Sequence, residues 1–251
     1  MLKVLKNEII KMFSSKKFYI LCFVIILSIL IIAFTGKNDA KSVINAENFL
    51  TETLFGMLMR PMIPMLMVVI IAETLTQDYA EGTMKFSLMA PIKKSDFIIG
   101  KFLFITVYAL ILLFVSFFGS YIIGVIFFGL GDKGEILSNF IYNLEVYVSI
   151  VLPLLSFSFV ISFIALIVNN SATIMGLGIG IHVIMLFVDS QIKNAMYYTF
   201  SGGIAGGMYA VRILGKIDVN AVISFSITAG IYIFVSIILS MLIFKKKDIV
   251  R

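Results

Sequence analysis

Between Glu73 and Lys101 the chain reads ETLTQDYAEGTMKFSLMAPIKKSDFIIGK, a polar island between two long apolar runs. Glu73, Asp78 and Glu81 precede Gly82-Thr83, followed by Lys85, Phe86 and Leu88, and Pro91 closes the stretch. Proline disfavours helix at the residue before it, so the spacing predicts a short amphipathic helix from Asp78 to Met89. Glu81 and Lys85, four apart, would form one charged edge, with Phe86 and Leu88 as apolar anchors beside it. Such a surface suits docking to another protein; a solvated loop with basic anchors is the plainer alternative, with Glu73 and Glu81 capping or bracing it. Lys93, Lys94 and Asp96 then lead into a second helical entry ending in Lys101, whose ammonium could snorkel towards lipid phosphates.

Catalytic chemistry has little to work with. There is one His and one Cys, and no pairing of His and Glu at metal-ligand spacing, no Gly-x-Ser-x-Gly elbow and no Gly-x-x-x-x-Gly-Lys-Ser/Thr loop that could cradle ATP. No catalytic residue, metal site or bound cofactor is expected. Any ATP, with its Mg, would sit on a partner. Two ionisable groups fall inside apolar runs, where polar side chains are costly and usually face protein or water. Arg60, followed by Pro61 and Pro64, could hold an outer gate or attract an anion, with Glu52 or Asp189 as partners, or it could snorkel to the interface. His182 reads as a hydrogen-bonded packing residue or, alternatively, a proton carrier. Met62 and Met65 belong to a methionine-rich run from Met57 to Met67, suited to a path for variable apolar cargo or to gap-filling between helices.

The elements that must hold these residues follow from hydropathy. Of 251 residues, 61% are hydrophobic and 14% charged. About 20 residues of helix cross the roughly 30 Å of hydrocarbon. Six runs qualify, near Phe18–Phe34, Phe55–Ala72, Phe102–Phe128, Leu144–Val168, Ala172–Val188 and Val222–Phe244. They are continuous, which excludes the alternating pattern of a β-barrel and leaves helices to satisfy the backbone in lipid. The expected fold is an all-α integral membrane protein: one transmembrane domain over 1–251, with six helices after an N-terminal amphipathic helix over 1–17. In that helix Leu2, Leu5, Ile9, Met12 and Phe13 share an arc while Lys3, Asn7, Glu8 and Lys11 fall elsewhere, the pattern of an interfacial helix. A cleaved signal peptide is the alternative, but no Ala-x-Ala site stands near Gly36.

Lys and Arg concentrate in the N-terminal segment, the 73–101 island and the C-terminal tail. The positive-inside rule therefore puts both termini in the cytoplasm of a multi-pass plasma-membrane protein. The net charge of +6 is then a signal of topology, and no nucleic-acid partner is implied. Residues 189–221 form the longest outer segment. Its Ser201-Gly202-Gly203-Ile204-Ala205-Gly206-Gly207 stretch is either a short re-entrant or interfacial hairpin or a Gly-rich external turn. The fifth run carries Ala172, Gly176 and Gly180, a small residue every four positions, which permits close helix approach.

The order Glu, Glu-Gly-Thr, a short apolar stretch, Pro, a basic pair and Gly-Lys opening the next span resembles the permease subunits of ABC-2 type exporters. Lys93-Lys94 stand where that family commonly has a small residue and an Arg. The overall layout is similar as well. The resemblance implies that Glu81 to Leu88 corresponds to the coupling helix seated in a groove of the ATPase subunit, and residues 1–17 to the elbow helix beside it. It also implies two cytoplasmic ABC ATPase copies, a second permease copy or paralogue, and a seam between permeases on which the 172, 176 and 180 stripe could lie; packing within the chain is the alternative. Amphipathic or hydrophobic peptides, such as lantibiotics, bacitracin-like antibiotics or phenol-soluble modulins, are the expected cargo. An ATP-independent transporter or channel, or a membrane-embedded peptide-immunity or sensor protein, are the rival functions.

Overall fold

A computed structural model of the chain describes residues 1–38, 46–77, 94–130, 136–168, 170–192, 194–204 and 218–246. Among the described residues there is no strand, as expected where every backbone group must be paired locally in lipid. Helix α1 is Leu2–Ser14, α2 Lys16–Asn38 and α3 Ala46–Thr53. A π-helical stretch, Leu54–Met62, joins α3 to α4, Ile63–Ala72, which continues through a second π-helical turn, Glu73–Gln77. Then follow α5, Lys94–Phe128, α6, Ile136–Ile167, α7, Ser171–Gln191, and α8, Val219–Lys246.

Among the described residues six helical segments are long and apolar enough to cross a bilayer, the second formed by the continuous run Phe49–Thr76. Each is longer than the apolar run expected from the sequence, and all but the fourth contain that run whole; the fourth ends at Ile167, one residue short of Val168. Helix α5 starts at Lys94, eight residues before the apolar run, because Asp96 in its first turn complements the positive end of the helix dipole. Helix α6 likewise begins at Ile136 rather than near Leu144. Hydropathy marks what lipid covers, whereas the helix continues through polar residues that its own hydrogen bonds still satisfy. At the α6–α7 turn, Asn170 accepts a hydrogen bond from the Thr173 amide at 3.2 Å, an N-cap that starts α7.

Helices α5 and α6 form the centre. Edge-on aromatic pairs join them, Phe102 with Phe159 at 4.6 Å and Phe117 with Tyr147 at 4.9 Å between ring centroids. Helices α2 and α3 lie along α5, α8 lies along α6, and α4 bridges α6 to α7. Several buried hydroxyls are absorbed by nearby groups: Ser116, Ser158 and Ser162 donate to carbonyls three or four residues back, and Thr53 donates across to Ser120 at 3.0 Å. The outer faces of α2, α7 and α8 present Phe23, Phe187 and Phe234, as lipid-facing helices should.

Helix α1 crosses one end of this bundle, here called the basal end. Phe244 stacks on Phe97, and the N-terminal amine is 3.9 Å from Asp96, so the described N-terminus and the end of α8 lie on the same side. The face that α1 turns inward is Val4, Glu8 and Met12, while Leu2 and Phe13 are exposed. The expectation that Glu8 belongs to the polar side is thus corrected. Gly100 makes the close approach possible, because a Cβ there would stand 2.7 Å from Val4 Cβ.

Candidate functional site

The basal end brings together residues that are far apart in sequence. Lys101 enters the bundle about two turns after the start of α5 and is 1% exposed. Its ammonium donates to Glu8 Oε1 at 2.9 Å and to the Thr74 carbonyl at 2.8 Å, and lies 5.4 Å from the Phe97 ring centre. A buried cation requires such partners, since desolvation would otherwise outweigh its attraction to any one of them. The snorkelling expected for Lys101 is therefore overturned: α1 covers it and Glu8 supplies the counter-charge. A few residues away Lys17, at the start of α2, donates to Glu73 Oε1 at 2.7 Å.

Glu73 is thereby placed where α4 ends and the polar island begins, tied to α2, while the next residue's carbonyl is tied to α5. The other island residues singled out in the sequence, Asp78, Glu81, Gly82, Thr83, Lys85, Phe86 and Leu88, lie outside the described residues.

A second constellation lies deeper, where Pro64 breaks the hydrogen-bond ladder of the second span. An α-helical N–H bonds the carbonyl four residues earlier, so Pro64 leaves the Arg60 carbonyl without its donor. The backbone widens into π geometry there, with the Ile63 amide reaching the Leu58 carbonyl, and His182 of α7 donates through Nε2 to the Arg60 carbonyl at 2.5 Å. A carbonyl only accepts, so Nε2 carries the proton. His182 is fully buried and packs edge-on to Phe157 at 5.2 Å. This is the hydrogen-bonded packing role, and it joins two residues that the sequence had offered separately. Replacing His182 with Phe should lower the unfolding free energy by about 1–3 kcal/mol by orphaning that carbonyl, whereas a Gln that restores a donor should recover part of it. Chemical unfolding of the purified variants would measure both.

Asp189, offered as a partner for Arg60, is engaged elsewhere. It accepts from Thr199 Oγ1 at 2.7 Å and from Ser201 Oγ at 3.2 Å. These bonds fold residues 194–204 back against the bundle, where Thr228 and Tyr232 of α8 donate to the Tyr197 and Tyr198 carbonyls. Gly203 abuts Pro153 so closely that a Cβ would stand 2.4 Å from its ring. Pro153 lies 14 residues, about 21 Å of helix rise, from the basal end of α6. The described part of the Gly-rich segment, residues 201–204, is therefore packed alongside the middle of the spans. The cue was its apolar, Tyr-flanked composition; the Asp189 cluster that anchors it had no sequence signal beyond an acid beside a helix end.

Met62 and Met65 are half-buried on adjacent turns. Of the small-residue stripe, Ala172 and Gly176 are exposed, and Gly176 and Gly180 have open space where a Cβ would go. The small residue that closes helix packing is Gly178, whose Cβ would lie 2.5 Å from Val68 of α4. Among the described residues no group of three His, Cys, Asp or Glu is placed to hold a metal ion.

Comparison with known proteins gives this architecture a family. The family model described as ABC-2 family transporter protein matches residues 4–189, from within α1 to the last turn of α7. No curated protein matches the chain significantly. Six membrane-crossing helices, an amphipathic helix across the base and a match over most of the length identify the chain as a member of the ABC-2 transporter family, a non-catalytic membrane permease that works with an ABC ATPase.

Proposed function

We propose that this permease is the membrane half of an ATP-driven exporter of amphipathic or hydrophobic peptides, coupled to its ATPase through the 73–101 segment. The observation that supports coupling there is the double tie at the basal end. Lys17 holds Glu73, and Lys101 holds both Glu8 and the Thr74 carbonyl. A push on the segment from Asp78 to Leu88 would be delivered to α1, α2, α4 and α5 together rather than lost in a slack linker, as rigid-body switching requires. In this reading Glu81 and Lys85 form the charged edge of the coupling helix, Phe86 and Leu88 its anchors, and Gly82-Thr83 its turn. Two ATPase copies bind ATP and Mg, and this chain binds no cofactor.

Both termini and the basal end are cytoplasmic in this reading, supported by the Lys and Arg distribution. A second permease copy or paralogue seats against the Ala172, Gly176 and Gly180 face, whose glycines have open space beside them. Cargo passes near Arg60, Met62, Met65 and His182, where flexible thioethers on a widened helix accommodate variable apolar side chains. Export of peptide antibiotics is the corresponding physiological role.

Co-purification with the cognate ATPase tests the coupling. Glu81→Ala and Phe86→Ala should each lower permease-dependent stimulation of ATP hydrolysis at least fivefold while the permease stays folded. Undiminished stimulation and co-elution in both variants would remove the docking role from this segment.

A further inference from the structure

A cavity of about 310 Å³ opens at the basal end beside the two ion pairs. We infer that it is a binding site for the headgroup of a membrane phospholipid that carries both a phosphate and a primary ammonium, of the phosphatidylethanolamine type. The lining has both signs of charge. Lys11, Lys17 and Lys101 face Glu8 and Glu73 across it, so a simple anion would meet two carboxylates and a simple cation three ammonium groups. A zwitterion finds a partner at each end. Lys17 has a side chain 59% exposed, and its ammonium has three donors, so it can reach a phosphate while still donating to Glu73, whose carboxylate has acceptor capacity left for the ligand's ammonium.

Deeper in the cavity, Tyr108 is 2% exposed and its hydroxyl has no partner among the described residues. A buried donor of that kind is normally satisfied, and a phosphate oxygen or the glycerol ester beyond it would do so. The size agrees, since liquid water takes about 30 Å³ per molecule and phosphoethanolamine has about eight non-hydrogen atoms. Phe18, Ile70 and Phe104 supply apolar wall against which the first carbons of the lipid would lie. Directly after the lining residues Lys17 and Phe18, Tyr19, Ile20 and Phe23 are exposed on α2, an apolar track on which acyl chains can continue.

The test is native mass spectrometry of the purified full chain, delipidated and titrated with phosphatidylethanolamine, phosphatidylcholine or phosphatidylglycerol in mixed micelles. One phosphatidylethanolamine should bind saturably and at least tenfold more tightly than phosphatidylcholine, whose trimethylated nitrogen cannot donate hydrogen bonds to Glu73. Ile70→Phe, which fills the wall, should weaken that binding at least fivefold, and Tyr108→Phe, which removes only the unpartnered hydroxyl, about threefold. Circular dichroism checks that both variants stay helical. If Ile70→Phe misfolds, Tyr108→Phe alone carries the test. Equal binding of the three lipids, or binding unchanged in a folded variant, would reduce the lipid to a nonspecific annulus and overturn the proposal. Free phosphoethanolamine that competes as well as the lipid, mole for mole, would overturn the lipid assignment in favour of a soluble phosphorylated amine. None of these outcomes depends on the ATPase, so failure here leaves the exporter reading untouched.

Discussion

Lys101→Met should lower the stability of the purified permease by about 3–5 kcal/mol, because it strips the main counter-charge from a carboxylate that α1 buries against the bundle. Glu8 is then left with Lys11 at 3.5 Å on the exposed side of its own helix, a pair that solvent weakens. Glu8→Gln should cost less, since the Thr74 carbonyl still accepts from Lys101. The double variant Glu8→Gln/Lys101→Met removes both charges and should be more stable than Lys101→Met alone, the signature of a coupled pair in a double-mutant cycle. Chemical unfolding followed by circular dichroism measures all three. If Lys101→Met unfolds with the parent chain, the buried pair is not what fastens α1.

The second large effect is positional. Gly178→Ala would set a methyl 2.5 Å from Val68, and Val68 is fully buried and β-branched, with little freedom to move aside. Helices α4 and α7 must separate, at a cost of about 1–3 kcal/mol, and Gly178→Leu should cost more. Gly176→Ala and Gly180→Ala, one turn or less away, meet no atom within 4 Å and should leave stability unchanged or slightly raised. Val68→Ala should rescue Gly178→Ala in the same unfolding assay, which separates a steric cause from a loss of helix flexibility. Gly176→Leu also probes the proposed permease seam: the variant should stay folded but lose self-association in crosslinking.

A repeat of small residues four apart says that one face of α7 is smooth, but not which partner the face meets. Gly178, between the stripe positions, turned out to face α4. Hydropathy located all six spans because lipid burial leaves a continuous apolar record. It missed the first two turns of α5 and of α6, which are held by backbone bonds and charge at the helix end rather than by burial. Helicity in residues 2–14 was visible in the spacing of Leu5, Ile9 and Met12, but a charged residue such as Glu8 looks polar until its partner, 93 positions away, is brought to 2.9 Å. Arg60 and His182 were legible as costly residues in apolar runs. Their meeting required knowing that Pro64 frees a carbonyl and that α7 passes beside it. The proposed coupling residues from Asp78 to Leu88 lie outside the described residues, and of the residues proposed for coupling Glu73 is the one described, held by Lys17.

Reconstitution in liposomes, with and without the partner ATPase and ATP, and with a labelled amphipathic peptide as cargo, addresses the central claim most directly. Transport should require the permease, the ATPase and hydrolysable ATP together, and Phe86→Ala should abolish it while the ATPase still hydrolyses ATP at its unstimulated rate. Full-rate movement of the peptide by this chain alone, with no nucleotide present, would contradict an ATP-driven permease worked through the basal end.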